Sequence, residues 1–251
     1  MTLTGTAPTT TRRKSRLFDP WLIVGAVVVA GLLVVSLFTG VYDTLGAEDG
    51  AEMFQITRVP RTIALVLSGA VMAMSGLVMQ LLTQNRFVEP TTTGTTEWAG
   101  LGLLAVMIFF PTSGLMTKMV VAVAFSFVGT MIFFMFIRRV SLKASLVVPI
   151  IGIMLGAVVG AISTFLALQF DALQNLGVWF AGSFTSVIRG QYEPLWVVLI
   201  VVIAVFIVAD RFTVAGLGED IATNVGLNYR RVMLLGTGLI AIATGVVTVV
   251  V

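Results

Sequence analysis

Cysteine and histidine are both absent from the 251 residues of this chain, and charged residues make up only 11% of it. These absences exclude disulfides, thiolate chemistry and any metal site or proton relay built on imidazole. The scarcity of charge excludes an ordinary soluble domain, in which about 25% of residues are charged. Because 15 basic and 12 acidic residues leave a net charge of only +3, we predict no nucleic-acid partner, and we predict no cofactor in this chain.

Long apolar runs make up most of the sequence: 58% of the residues are hydrophobic, and the mean hydropathy is +1.06. A run of about 20 apolar residues is long enough to cross a bilayer. We therefore predict an all-α polytopic membrane protein with a polar cytoplasmic tail over 1–19 and a transmembrane domain over 20–251. About seven spans are predicted, at 20–39, 61–82, 96–110, 115–137, 145–168, 194–209 and 232–251.

The third predicted span is unusual because its apolar part, WAGLGLLAVMIFF, is short and follows the polar segment TTTGTTE. Short or interrupted spans point to a substrate path, since irregular backbone at membrane depth must face protein or water. Glu97 begins this span, and an ionisable residue there is a candidate for the translocation path. Alternatively, Glu97 lies in the first turn of a helix, where the helix dipole favours an anion.

The distribution of Lys and Arg predicts the orientation of the chain. With a cytoplasmic N-terminus, all of the 15 basic residues except four lie on the inner side, in agreement with the positive-inside rule. Two of the four, Arg58 and Arg61, flank Pro60 at the outer end of the second span, and the others are Lys118 and Arg189. Cations placed there can steer an acidic partner and fix its register. Alternatively, they reach lipid phosphates or mark the start of the helix.

The segment GLGEDIATNVGLN, residues 216–228, follows the sixth span on the inner side. It is typical of a short amphipathic helix, with acidic residues in its first turn, Ile221 and Val225 on one face, and Gly226 suited to its C-terminal cap. Such a helix can act on a cytoplasmic partner. Alternatively, it is an interfacial helix without a partner.

Three glycines, Gly152, Gly156 and Gly160, recur at every fourth residue of the fifth span. This spacing places them on one helix face, where the backbone of a neighbour can approach closely. We predict tight packing within the subunit, with a face toward the pore or toward a second subunit as the alternative.

Four stretches resemble, in order and spacing, the permease subunits of ABC importers for iron-siderophores, haem and cobalamin, the FecCD-type family. They are RVPRTIALVLSGAVMAMSGLVMQ, QNRFVEPTTTGTTEWAGLG, VWFAGSF and GLGEDIATNVGLNYRR. The resemblance implies a type II ABC importer permease of ten helices in a bacterial cell membrane, in contact with lipid. The partners that it implies are a second permease subunit, a dimer of ABC ATPases that use ATP and Mg²⁺, and an extracytoplasmic substrate-binding protein.

The resemblance also implies roles for individual residues. Arg58 and Arg61 are expected to dock the substrate-binding protein. The segment 216–228 is expected to couple the permease to the ATPase, and its matching positions are Gly218, Glu219, Ala222 and Gly226.

Two further residues concern the predicted path. Ser145 lies where the family has its cytoplasmic gate, and it can equally cap a helix N-terminus. At Glu97 the chain departs from the family, whose members usually have a small or neutral polar residue at that position.

We predict the permease subunit of an ATP-driven importer, not an enzyme itself, and its NRFVEPTTTGTT segment is most similar to the iron-siderophore branch. The sequence contains no Walker A loop, so ATP hydrolysis is expected in a partner chain. One alternative is a secondary transporter driven by an ion gradient, which would need ionisable residues in several spans. The other is a non-functional fragment, because the apolar end GLIAIATGVVTVVV predicts a truncated permease.

Overall fold

The computed structural model describes residues 20–39, 49–139 and 146–251, and all regular elements within them are helices. The chain divides into two units, Met1–Asp43 and Thr44–Val251. Helix α1, Pro20–Phe38, belongs to the first unit and has 19 residues. It begins at a proline, whose fixed φ suits the first turn of a helix. The predicted tail at 1–19 lies outside the described residues.

The second unit contains helices α2 to α10 within the part of the chain that the structure describes. They are α2 Gly50–Met53, α3 Val59–Thr83, α4 Thr95–Phe109, α5 Leu115–Ile137, α6 Val147–Gln169, α7 Leu173–Ala181, α8 Trp196–Ala215, α9 Glu219–Asn224 and α10 Tyr229–Val250. Among the described residues, 6 helices are long and apolar enough to cross a membrane. The prediction of an all-α membrane protein is confirmed, whereas its third span is a helix of only 15 residues, α4.

Two helices extend beyond the predicted spans. The second span is part of one helix of 34 residues, Gly50–Thr83, in which a π-helical turn, Phe54–Arg58, joins α2 to α3. The sixth extends at its C-terminal end to Ala215, so Asp210 and Arg211 lie within α8. Both extensions are more polar than the apolar runs that they continue. Spans predicted from apolar runs alone are therefore shorter than these two helices.

Pro60 lies two residues after the π-helical turn and has no backbone N–H. In a regular α-helix that N–H would bond to the carbonyl of Ile56, four residues earlier. The backbone N–H of Arg189 donates to this carbonyl instead, at an N···O distance of 3.0 Å. The loop before α8 is therefore attached to the turn that carries Arg58.

Helix α10 is the most enclosed of the candidate spans and packs against α3, α4, α5 and α8. Small residues allow this close packing. A Cβ atom at Gly236 would lie 2.6 Å from the Leu82 side chain, and one at Gly245 would lie 2.7 Å from the backbone of Val123. Larger residues at these two positions would push α3 or α5 away from α10.

Several buried hydroxyl groups between α5 and α10 are hydrogen-bonded. Ser126 of α5 and Thr244 of α10 share a hydrogen bond of 2.7 Å between their side-chain oxygens. Thr130 and Thr237 each donate to the backbone carbonyl four residues earlier. Because an unpaired hydroxyl is costly in an apolar medium, these bonds make polar side chains tolerable between the helices.

Candidate partner surfaces and translocation path

Arg58 and Arg61 are held by the long helix Gly50–Thr83 rather than by a loop. Arg58 ends the π-helical turn and is only 8% exposed. Arg61 lies one turn further along and is half-buried. Its Nε atom is buried and has no hydrogen-bond partner among the described residues. A buried polar nitrogen without a partner requires an explanation, and binding of an external acceptor is one.

Arg189 adds a third cation to this end of the molecule. Its backbone bond to Ile56 places it beside the π-helical turn, and its side chain is exposed. Lys118, the fourth cation predicted on the outer side, lies 6.0 Å from the ring centroid of Trp179. We did not predict the position of Arg189 beside Arg58, and the only signal for it was the missing N–H of Pro60.

The segment 216–228 forms the short helix α9 between two glycines with positive φ, Gly218 at +111° and Gly226 at +89°. Behind α9, the N–H groups of Gly226 and Leu227 donate to the carbonyls of Thr223 and Ala222, both at 2.9 Å. This is a Schellman motif, which ends a helix with a residue in the left-handed region. The two glycines therefore define where the helix begins and ends.

One face of α9 is buried, and the other is open. Ala222 is fully buried, whereas Ile221 and Val225 are 49% and 71% exposed. Ahead of α9, a Cβ atom at Gly216 would lie 2.9 Å from the Leu81 side chain, and one at Gly218 would lie 3.3 Å from Nε2 of Gln84. The segment is thus packed on the C-terminal end of α3, while the apolar side chains of Ile221 and Val225 are exposed.

Glu97 lies in the first turn of α4 and lines a cavity of about 460 Å³. Its Oε2 accepts a hydrogen bond from the Thr96 hydroxyl at 3.0 Å. The other lining residues come from the turn before α4 and from α6 and α7; they are Thr91, Gly152, Ile153, Gly156, Ala157, Gly160, Thr164, Leu176 and Phe180. The carboxylate therefore lies both at a helix N-terminus and in a cavity wall, so the two sequence interpretations are compatible.

The three glycines of α6 differ in their surroundings. A Cβ atom at Gly152 would collide with the backbone carbonyl of Thr92, and one at Gly156 would lie 3.3 Å from the Cα of Gly94. At Gly160 nothing lies within 4 Å of the corresponding position. The first two glycines thus allow the backbone of the turn before α4 to pack closely against α6, and the third lines the cavity.

One predicted site residue, Ser145, lies outside the described residues. Two charged residues, Asp210 and Arg211, lie within α8, beyond the predicted end of its span, and both are exposed. Among the described residues, no cluster of acidic side chains is suited to a metal ion.

Comparison with known proteins points to one family. The profile of the FecCD transport family matches residues 21–251. The petrobactin import system permease protein of Bacillus anthracis is 59% identical over 229 residues, which cover 91% of this chain and 69% of that protein. A petrobactin import system permease protein of Bacillus subtilis is 37% identical and is covered over 70% of its length, with 86% of this chain aligned.

Two more distant proteins also match, one by sequence and one by structure. The vitamin B12 import system permease protein of Salmonella newport is 30% identical, over 90% of this chain and 72% of that protein. The solved structure of a metal-chelate type ABC transporter in an inward-facing conformation superposes with a TM-score of 0.75 at 21% identity, over 92% of this chain and 76% of that one.

Proposed function

Because the chain belongs to the FecCD transport family, we propose that it is the membrane-spanning permease of an ATP-driven importer for ferric siderophores. The observation that carries the substrate class is the 59% identity to a petrobactin import permease. The permease itself is not an enzyme, and the energy comes from ATP and Mg²⁺ bound by a separate ABC ATPase. The N-terminus is cytoplasmic, so Arg58 faces outward and α9 faces the cytoplasm.

On the outer side, Arg58 and Arg61 dock carboxylates of an extracytoplasmic substrate-binding protein. The unpartnered Nε of Arg61 supports this proposal. Charges held on a rigid helix are suited to fixing the register of a partner, because little side-chain freedom is lost on binding.

On the inner side, the segment 216–228 docks the ATPase, and Gly218, Glu219, Ala222 and Gly226 shape its coupling helix. The exposed Ile221 and Val225 support this proposal, since α9 presents them away from its buried Ala222. Packing of Gly216 and Gly218 against the inner end of α3 provides a route from ATPase movement to the transmembrane helices.

The cavity beside α6 is our candidate for part of the translocation path. It combines an ionisable residue, Glu97, with the open side of Gly160. A second permease subunit facing this cavity would enclose the path between two copies of α6. We retain Ser145 as a proposed gate residue at the cytoplasmic end.

Transport of ferric petrobactin tests the proposal. The permease, its ATPase and its binding protein are reconstituted in proteoliposomes, and uptake of radiolabelled iron is measured with and without ATP. We expect accumulation that requires ATP, persists when ionophores dissipate the ion gradients, and stops with an ATPase variant that lacks its P-loop lysine. Uptake driven by a proton gradient without the ATPase would instead establish a secondary transporter.

A further inference from the structure

A groove of about 500 Å³ runs along α5 and α10 on the surface of the second unit. Its walls are apolar over most of their length, and Arg138 and Arg230 lie at one end of it. Arg138 follows the last residue of α5, and Arg230 is the second residue of α10. The remaining lining residues are Phe127, Val128, Met131, Ile132, Phe134, Met135, Met233, Leu234 and Thr237.

We propose that this groove binds an anionic phospholipid of the inner leaflet, with its phosphate on Arg138 and Arg230 and an acyl chain along the apolar wall. The inference rests on the orientation given under the proposed function, which places both arginines at the cytoplasmic surface. No residue of the groove belongs to the proposed docking, coupling or path sites.

Charge complementarity identifies the headgroup. The described lining contains two guanidinium groups and no carboxylate, and both arginines are exposed. A guanidinium group binds phosphate oxygens through two parallel hydrogen bonds. The cytoplasmic leaflet supplies anionic lipids, and basic pockets between helices on that side bind their headgroups.

The length of the groove identifies the tail. From Phe127 to Arg138 the helix rises about 16 Å, at about 1.5 Å per residue. One leaflet contributes half of a hydrocarbon core of about 30 Å. An acyl chain that starts from a phosphate at Arg138 therefore reaches the far end of the groove close to the middle of the bilayer.

A second groove provides an internal comparison. It lies between α3 and α8 and has a similar volume, about 530 Å³, but Arg86 is the one cation in its described lining. The guanidinium group of Arg86 lies 5.8 Å from the ring centroid of Phe87. The groove between α3 and α8 thus offers an apolar wall without a converging pair of cations, so the selectivity for an anionic headgroup belongs to the α5 and α10 groove.

The site adjoins the proposed coupling segment. Arg138 also lines a smaller cavity of about 190 Å³ together with Glu219 and Tyr229, which begin α9 and α10. A phosphate on Arg138 therefore lies near the first residue of the coupling helix, and the lipid becomes a neighbour of the ATPase interface.

Native mass spectrometry of the purified importer that contains this chain tests the proposal. Phosphatidylglycerol and phosphatidylcholine with the same acyl chains are titrated, and the retained molecules are counted. We expect preferential retention of phosphatidylglycerol and a loss of about tenfold or more in the double variant Arg138→Gln/Arg230→Gln. The matched control is Arg139→Gln/Arg231→Gln, which removes the same charge from exposed neighbours that do not line the groove.

A second pair of variants tests the apolar wall without changing charge. Leu234→Trp fills the groove, whereas Leu235→Trp adds the same bulk at an adjacent residue of similar exposure, 40% against 41%, outside the lining. We expect loss of phosphatidylglycerol with Leu234→Trp and retention with Leu235→Trp. Assembly of each variant is checked by size-exclusion chromatography.

Three results would overturn the proposal. They are equal retention of the two lipids, equal losses in the groove variants and their controls, and undiminished phosphatidylglycerol in both groove variants. The last result would mean that another part of the importer covers the groove. ATP-driven uptake of ferric petrobactin is measured separately, so a failed lipid site leaves the proposed transport function intact.

Discussion

We assign one end of the second unit to an external partner and the other to a cytoplasmic partner, and we call them the outer and the inner end. The two ends are built in different ways. At the outer end, Arg58 and Arg61 belong to a helix of 34 residues, and the nearby loop is attached to it through the bond between Arg189 and Ile56. At the inner end, α9 has 6 residues and lies between Gly218 and Gly226, both with positive φ.

We expect this difference to correspond to two kinds of recognition. Charges on a rigid support select and orient a partner, and their effect is electrostatic and sensitive to salt. A short helix with an apolar face transmits movement through packing, so it depends on backbone geometry. Variants at the two ends should therefore fail in different assays.

The largest effect is expected from charge reversal at the outer end. Arg58→Glu and Arg61→Glu should each weaken docking of the binding protein by several kcal/mol, because like charges then face each other across the interface. Binding-protein affinity measured at low and high salt checks this expectation, and the defect should soften near 1 M salt, where the Debye length is about 3 Å.

Two controls separate docking from folding at this end. Lys118→Glu reverses a cation that lies against Trp179 and should leave affinity largely unchanged. Substitution of Lys for the facing carboxylates of the binding protein should partly restore uptake by the Arg→Glu permeases. Normal affinity and uptake in both reversed permeases would make the arginines lipid anchors.

A smaller effect is expected from Gly218→Val at the inner end. The φ of +111° is unfavourable for a residue with a Cβ atom, and that atom would lie 3.3 Å from Gln84. The strain costs about 1–3 kcal/mol, and it should shift α9 and raise the ATP hydrolysed per iron transported while docking stays normal. Leu217→Val, at an exposed neighbour, is the matched control, and equal stoichiometry in the two variants would contradict the coupling role.

The smallest effect is expected from Arg189→Glu. Its side chain is exposed, and exposed charge pairs contribute about 0.2–1 kcal/mol. We expect a reduced association rate of the binding protein with little change in its dissociation rate, measured by surface plasmon resonance. An effect as large as that of Arg61→Glu would show that the outer site is centred on the loop before α8 instead of on the long helix.

Much of the fold could be predicted because the apolar runs are long and few residues interrupt them. Helices α1, α5, α6 and α10 begin and end within a few residues of their predicted bounds. The start at Gly50 could not be predicted in this way, since residues 50–60 project beyond the apolar run and include polar positions. The π-helical turn could not be predicted either, because its sequence shows no periodic pattern of apolar residues. Pro60 was the only nearby residue that indicated an irregular helix.

The candidate sites also include features that local sequence predicts and features that depend on tertiary packing. Gly226 was predictable as the C-terminal cap of a short helix, because glycine is favoured where φ is positive, whereas Gly218 was expected only from the family resemblance. The convergence of Arg138 and Arg230 was not predictable, since these residues lie far apart in sequence and meet only when α5 packs on α10. Tertiary packing also decides that Gly152 and Gly156 meet backbone while Gly160 borders a cavity.

The continuous helix Gly50–Thr83 links the two surfaces that we assign to partners. At about 1.5 Å per residue, its 34 residues measure about 51 Å. Its outer part carries Arg58, and its inner end is followed by Gln84, which lies against Gly218. A tilt of about 5° around the middle of such a rod displaces each end by about 2 Å. If both assignments hold, angular movement of this one helix is sufficient to relate the position of a docked binding protein to that of the ATPase.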